Sequence, residues 1–523
     1  MHKGSGIFSD RYLSFLSVIT AIYVVWWVIY GYLSYTSYYN GFFDIGIETY
    51  SLYWHLHGVF ALGPFQYLAF ANHLSPFEVL LLPIFALFQH PITLLILQAL
   101  AIGSVSIVIY MACRNIFKKP KWGLWFGIAW LLNPGVQGLL VFDWHPEAFF
   151  PLFFILSFYF YVQRRRNYFL LSYALLLSIV ELAPFLGASL LVALIIYEFL
   201  YNSKKGGDEH ARYVAGLRLI AYGAMVTVAA WLAYQVVGSY LLSAYPTVPY
   251  SSLPPIIYYG NYTAAQINLL LHPTNYYYDG LALYDGALIG IIILFFWLGF
   301  SSLRNLPISL ILCSPWLVAV FVLHYTIVTD YYFQYYGYAL GGSVVAAMLG
   351  LSIISRNDAA GSIAKKLSQY MNPDRIFPYY LMLLLALSIE LWSPIVSSIM
   401  VVATLHGSNV SAIDGAIDSI PQNASVMAGQ NIAAHLFYFR NLELIPIPTN
   451  YFPAIGNNTD NLLAPHNTKV SWFKPQYLIV DMQLDGYALN SSSFNVGQFV
   501  ARNYTETYNV SGVEVFRLNN QSA

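Results

Sequence analysis

Apolar runs of about 20 residues recur along the chain, the length an α-helix needs to cross the hydrocarbon of a bilayer. They fall near 12–36, 92–112, 122–141, 147–163, 168–182, 184–200, 216–242, 280–302, 307–327, 336–355 and 376–402. That makes about eleven candidate spans. Charge supports the same reading. Only 9% of the 523 residues are Asp, Glu, Lys or Arg, against about 25% in soluble proteins. A chain so poor in charge cannot cover a water-facing surface, so lipid is part of its solvent. The net charge of −1 gives no footprint for nucleic acid. Cys113 and Cys313 lie inside apolar runs, where a thiol behaves as a small hydrophobe. The first run is too long for the core of a cleavable signal peptide.

The basic residues orient the spans. Lys3 and Arg11 precede the first. Arg114, Lys118, Lys119 and Lys121 follow the second, Arg164 to Arg166 the fourth, and Lys204, Lys205, Arg212 and Arg218 lie beyond the sixth. Arg304 follows the eighth, and Arg356, Lys365, Lys366 and Arg375 the tenth. With alternating spans every cluster lies on one side, which the positive-inside rule makes cytoplasmic. The reading is a multi-pass plasma-membrane protein with its N-terminus inside and its C-terminus outside. Residues 77–89 are too few to span and read as an interfacial or re-entrant helix within a long first outer loop, 37–91.

Beyond residue 402 the apolar runs shorten, and short strand patterns appear at Ser425–Ala428, Leu442–Pro446, Tyr477–Asp481 and Val513–Leu518. The fold class expected is an all-α polytopic membrane domain, 1–402, with a small extracytoplasmic α/β domain, 403–523. N-x-S/T sequons begin at Asn261, Asn409, Asn423, Asn457, Asn490, Asn503, Asn509 and Asn520. All fall outside under this topology, as expected of a glycoprotein surface. Many sequons with few cysteines fit an archaeal plasma membrane.

The ionisable residues beside the membrane cluster on the same outer side. The first loop carries Asp44 and Glu48, with Ile47, Tyr50 and Trp54 at helical spacing, as on a helix lying in lipid. Asp44 reads structurally as an N-cap and chemically as a general base or metal ligand. His73 precedes Ser75-Pro76-Phe77-Glu78, which reads as a capping box. Between the third and fourth spans stands Phe142-Asp143-Trp144-His145-Pro146-Glu147. In an extended stretch Asp143 and His145 share one side, and Glu147 suits a helix start. Three ionisable groups so close to a bilayer need partners or water. Glu181 lies between two spans. Asp330 and Gln334 sit in a Tyr-rich turn that fits a polar ligand such as a sugar, or an aromatic belt. The histidines match no compact zinc motif. No Walker A, GxGxxG or Gly-x-Ser-x-Gly element is present, and no repeat of fixed period.

The series FDIGIE…LYWHLHG, NHLSP, ILQALAI, WLLNP, FDWHPE and VELAP resembles the prokaryotic membrane-protein family called domain of unknown function 2079. That family is similar to the GT-C class of polytopic glycosyltransferases. Val180 and Leu182 stand where the family has Lys and Asp around the acid Glu181. The resemblance implies a GT-C-like fold and an acid in the first outer loop, here Asp44, acting as base or metal ligand. Asp143, His145 and Glu147 match the second outer loop, which often carries another acid in that class. A polyprenyl-phosphate-linked sugar would be the donor on the outer face, with Asp44, Asp143 and Glu147 as catalytic residues and an acceptor left open. Glu48, His73, His145, Glu181, Asp330 and Gln334 would line the substrate. A divalent metal, if one is used, would take Asp44, Asp143 and His145. The other readings are a transporter or lipid flippase, which calls for mid-span charges such as Glu390 and for repeats, and a non-catalytic surface-assembly protein.

Overall fold

A computed structural model describes residues 10–41, 45–59, 75–201, 207–244, 305–321, 337–355, 373–390, 394–404, 409–445, 475–482 and 496–519. Asp10 starts α1 (Arg11–Thr36) by accepting from the backbone of Tyr12 and Leu13. Along α1, Phe15, Val18, Ile22, Val25 and Ile29 recur every three to four residues and are between 43% and 66% exposed. In water each would forgo about 1.5–3 kcal/mol of burial, so this stripe faces lipid. The opposite stripe, Leu16, Tyr23, Trp27 and Tyr30, is buried against α4 (Pro91–Phe117). The two helices run antiparallel. Asp10 accepts from the Tyr110 hydroxyl at 2.6 Å and pairs with Arg114 at 3.2 Å, and Thr20 meets Ser106 at 2.7 Å midway.

After α4 come α5 (Pro120–Leu132) and α6 (Pro134–Val141), bent by 48° at Asn133. Pro134 cannot donate to the ladder, and the Asn133 side chain instead accepts from Gly135 N at 2.9 Å. A 3₁₀ turn, Pro146–Phe149, leads into α7 (Phe150–Val162), followed by α8 (Arg166–Leu177), α9 (Ala183–Tyr201) and α10 (Asp208–Ala244). Further helices are Leu306–Phe321, Gly337–Ser355, Pro373–Glu390 and Pro394–Thr404. In the helix Gly337–Ser355, Gly342 lies under the carbonyl of Leu312 and Gly341 under Phe154, close approaches that a side chain would block.

Among the described residues four helices, α1, α4, α9 and α10, are long and apolar enough to cross a membrane, and the bent pair α5–α6 makes a fifth. The expected spans at 147–163, 307–327 and 336–355 coincide with shorter apolar helices, and the one at 168–182 with the 12-residue α8. The expected span 376–402 corresponds to two helices, Pro373–Glu390 and Pro394–Thr404. The expected span 280–302 lies outside the described residues. The short helix expected at 77–89 is α3 (Pro76–Phe85).

Toward the C-terminus a five-stranded sheet forms from β1 (Ser425–Ala428), β2 (Asn441–Leu444), β3 (Tyr477–Asp481), β4 (Tyr504–Val510) and β5 (Val513–Leu518), in the order β2-β1-β3-β5-β4. β1 pairs in parallel with β2 and β3, and β5 pairs antiparallel with β3 and β4. Strands lie at the four expected places, with β2 starting one residue earlier than read and ending at Leu444. The missed strand, β4, follows a short helix and is polar on most positions, so it lacks the apolar alternation that marks a strand. Its hairpin turns at Ser511 and Gly512, with φ of 52° and 83°, the backbone that two-residue hairpins require.

Helix α2 (Ile47–Leu56) does not rest on lipid as its spacing implies. Tyr50 is buried, and Ile47, Tyr53 and Trp54 pack with Ile413, Phe437 and Leu442. The Tyr50 hydroxyl and Trp54 indole donate to the carbonyls of Arg440 and Phe437 at 2.7 and 3.1 Å. The aromatic face that a sequence assigns to the bilayer is covered by the chain's own later residues. At the same junction His435 lies between Tyr35 and Tyr38, each ring 4.0 Å away. Burial pushes its pKa down to about 3, so the imidazole stays neutral in this stack.

Candidate functional site

The corner between α6 and the 3₁₀ turn is a short extended stretch, 142–145, held from three directions. From below, Gln98 of α4 donates to Leu139 O at 2.7 Å and to Asp143 O at 3.4 Å, and accepts from His145 N at 3.0 Å. Its amide thus satisfies backbone groups that an extended turn would leave bare in an apolar setting. From the end of α1, Asn40 and Gly41 donate to the Asp143 carboxylate through the amide and the backbone N–H. These residues directly precede the segment carrying Asp44. From the side, Tyr338 donates to Glu147 at 3.3 Å. His145 stacks on Phe142 and stands 3.6 Å from the second Glu147 oxygen. Proline at 146 enforces the extended conformation of His145. Asp143 and His145 sit in one stretch, and Glu147 is wholly buried one turn on.

Behind this corner lies a second acid pair. Glu48 of α2 and Glu78 of α3 are both buried, at 7% and 3% exposure, and their carboxyls hydrogen-bond each other. Glu147 is close enough to add repulsion. The expected capping box at Ser75–Glu78 is therefore corrected. Helix α3 does begin with Ser75 and Pro76, but the Ser75 hydroxyl caps nothing, and Glu78 turns inward to meet Glu48. Two carboxylates side by side in a low dielectric cannot both stay charged. Burial, reinforced by Glu48, holds the Glu78 carboxyl well above its ordinary 4.5. α3, only ten residues long, is too short to span.

The sign of this shift sets a pH dependence. A carboxyl that binds its proton more tightly when folded favours the folded state at low pH. That advantage is lost as pH rises above 4.5 toward the raised folded value. The melting temperature of the purified protein should fall over that window, and Glu78→Gln, neutral throughout, should flatten the fall. An identical pH slope in wild type and variant would contradict the shared-proton arrangement.

Glu181 is buried in the turn between α8 and α9, beside Tyr234. Asp44, His73, Asp330 and Gln334 lie outside the described residues, as do the sequons at Asn261, Asn457, Asn490 and Asn520. Of the remaining sequon residues, Asn423 and Asn509 are exposed and Asn409 and Asn503 half-buried. Among the described residues no group of three or more His, Cys, Asp or Glu is arranged to hold a metal ion. Asn40, Glu78, Gln98 and Tyr338 were not singled out as site residues in the sequence. Only Glu78 carried a signal, as a lone acid in an otherwise apolar helix.

The family model described as "Predicted membrane protein (DUF2079)" matches residues 23–496. The chain belongs to that family. No curated protein matches the sequence. The fold of this DUF2079 chain is similar to that of ArnT from Cupriavidus metallidurans, solved bound to undecaprenyl phosphate. Identity is 11%, the alignment covers 97% of this chain and 98% of that one, and the TM-score is 0.51. A second solved structure, the Archaeoglobus fulgidus oligosaccharyltransferase in complex with zinc and sulfate, aligns at 10% identity. It covers 96% of this chain and 73% of the other with a TM-score of 0.37. The DUF2079 chain is thus a multi-pass membrane protein with an ArnT-like helical fold. Among the described residues, Asn40 and Gly41, Glu48 of α2, Glu78 of α3 and the 142–147 corner meet in its candidate site.

The Gln98 clamp gives a further expectation. Gln98→Leu keeps the volume but strips partners from Leu139 O, Asp143 O and His145 N. Each buried group left bare costs about 1–3 kcal/mol. The variant should melt lower and lose any activity of the corner, and Gln98→Glu, which keeps an acceptor for His145 N but sets a buried carboxyl against the two carbonyls, should lose at least as much. Thermal denaturation in detergent checks the order.

Proposed function

We propose that the chain is a GT-C-type glycosyltransferase that takes sugar from a polyprenyl-phosphate donor on the outer face of the membrane. The observation that carries this reading is the bonding of Asp143 by Asn40 and Gly41. It joins the two loops in which this class keeps its acids, the one with Asp44 and the one with Asp143 and Glu147. The likeness to a fold solved with undecaprenyl phosphate supports a lipid-linked donor.

In this reading Asp44 takes the proton of the acceptor hydroxyl as it attacks the anomeric carbon. Asp143 holds the Asp44 segment in register. The proton held between Glu78 and Glu48 removes one negative charge beside the site, which lessens repulsion of the donor's phosphate. His145, 3.6 Å from a Glu147 oxygen, is proposed to donate a ring N–H to the phosphate as the leaving group departs. His73, Glu181, Asp330 and Gln334 are proposed to line the sugar and the acceptor. The five-stranded sheet, read as an extracytoplasmic domain, covers α2. The exposed sequons Asn423 and Asn509 on it are proposed glycosylation sites.

The test is sugar transfer by the purified protein from a polyprenyl-phosphate-linked donor to a lipid or peptide hydroxyl. Asp44→Asn should lower the rate by about 10²–10⁴-fold, the usual contribution of a general base, with the melting temperature unchanged. Full retention of activity would remove Asp44 from the mechanism.

A further inference from the structure

A second polar site lies at the other end of the bundle. Gln98 and Lys118 are at opposite ends of α4, twenty residues or roughly 30 Å apart at 1.5 Å per residue. Lys118 borders a cavity of about 540 Å³ among α4, α7, α9 and α10, a volume in the range that holds a drug-sized ligand. Four cations line it, Lys118, Arg164, Arg165 and Arg212, against the acids Glu198 and Glu209. Cations outnumber acids there by two.

The cavity is built rather than merely charged. Glu198, wholly buried, accepts from Arg164 and from the Tyr161 hydroxyl at 2.5 Å. Gly216 of α10 makes room for that pair, since a Cβ there would come within 2.8 Å of both charged groups. With Arg164 spent on Glu198, Lys118, Arg165 and Arg212 are exposed and make no ion pair among the described residues. Lys118 and Arg164 hold left-handed backbone, φ 56° and 58°, a conformation costly for a long side chain. Below the cationic rim the wall turns apolar at Phe158 and Leu194. A cationic rim over an apolar base fits an anionic headgroup whose stem enters between helices.

We propose that this cavity binds a phosphate-bearing anion through Lys118, Arg165 and Arg212, with the Arg164–Glu198–Tyr161 network fixing the cationic wall. The phosphate comes from an anionic phospholipid or from a soluble phosphate. The site is separate from the acid corner and does not depend on the glycosyltransferase reading.

The full chain purified in detergent serves for the test, with phosphatidylglycerol, phosphatidylcholine and inorganic phosphate as probes. Native mass spectrometry reads lipid retention, and thermal denaturation reads phosphate protection. Wild type should retain phosphatidylglycerol over phosphatidylcholine, or gain melting temperature with millimolar phosphate. The double variant K118Q/R212Q should weaken that response by at least about tenfold, the loss expected for a charge-assisted hydrogen bond. Arg165→Gln, which touches no buried network, serves as a second variant. The control R11Q/K119Q removes two charges outside the cavity lining and should leave the response intact. A lipid response identifies the headgroup as the source, and a phosphate response without it identifies a soluble ligand. Absence of both responses, or equal loss in the control, overturns the site.

Discussion

Asp143→Ala should lower sugar transfer by about 10²–10⁴-fold while leaving the helical bundle folded. The Asp143 carboxylate accepts from the Asn40 amide and from the Gly41 backbone. A hydrogen bond to a charged group is worth about 1.5–3 kcal/mol. Losing two releases the 40–41 segment at a cost of about 3–6 kcal/mol in correctly assembled site, and every 1.4 kcal/mol is tenfold. Gly41 also lies against Gln430, so the freed segment would lose its position relative to the sheet as well. Asp143→Asn keeps one accepting oxygen and should lose less. The check is sugar-transfer rate beside the melting temperature of each variant. A rate within twofold of wild type for Asp143→Ala would show that the junction is not where the chemistry happens.

Glu198→Ala should be the most destabilising single change at the opposite end. Breaking a buried ion pair by removing one partner costs about 3–5 kcal/mol, because the other charge is left unpaired in low dielectric. Arg164 is partly exposed, with 19% of its side chain accessible, while Glu198 has none. The loss therefore belongs near the lower figure. Replacing both partners, Glu198→Leu with Arg164→Met, should recover most of the lost melting temperature, since well-packed apolar groups often substitute for such a pair at little cost. Scanning calorimetry in detergent distinguishes the outcomes. A double variant no better than Glu198→Ala would mean that the network serves packing around Tyr161 rather than charge balance.

Much of the architecture was legible because membrane helices are written in long apolar runs. α1 and α4 begin within a residue or so of the positions their sequences imply, since Asp10, His90 and Pro91 are recognisable helix starts. Strands β1, β3 and β5 were readable at full length, because each is short and apolar between polar turns. The corner at 142–147 was legible as three ionisable groups in a greasy setting. What escaped was whatever depends on distant parts of the chain meeting. Glu78 obeyed a local capping pattern and was therefore explained too soon, because Glu48 lies 30 residues upstream and no spacing rule links them. Gln98 looked like an ordinary polar residue in a helix, and only the fold shows the three backbone groups that it serves. Tyr50 and Trp54 obeyed the rule for interfacial aromatics, yet residues nearly 400 positions later cover them. A periodicity specifies that a face is buried and leaves open what buries it.

The order of the sheet has a consequence for association between copies. Among the described residues β4 is an edge strand, the kind of rim on which chains stack into aggregates. Here that rim carries exposed Thr505, Glu506, Thr507 and Asn509, and its register slips between Glu506 and Tyr508. Charge, polarity and an irregular ladder are the ordinary protections of such a rim. The same polarity that hid β4 from a reading of hydrophobic patterns thus guards the sheet against pairing with that of a second copy.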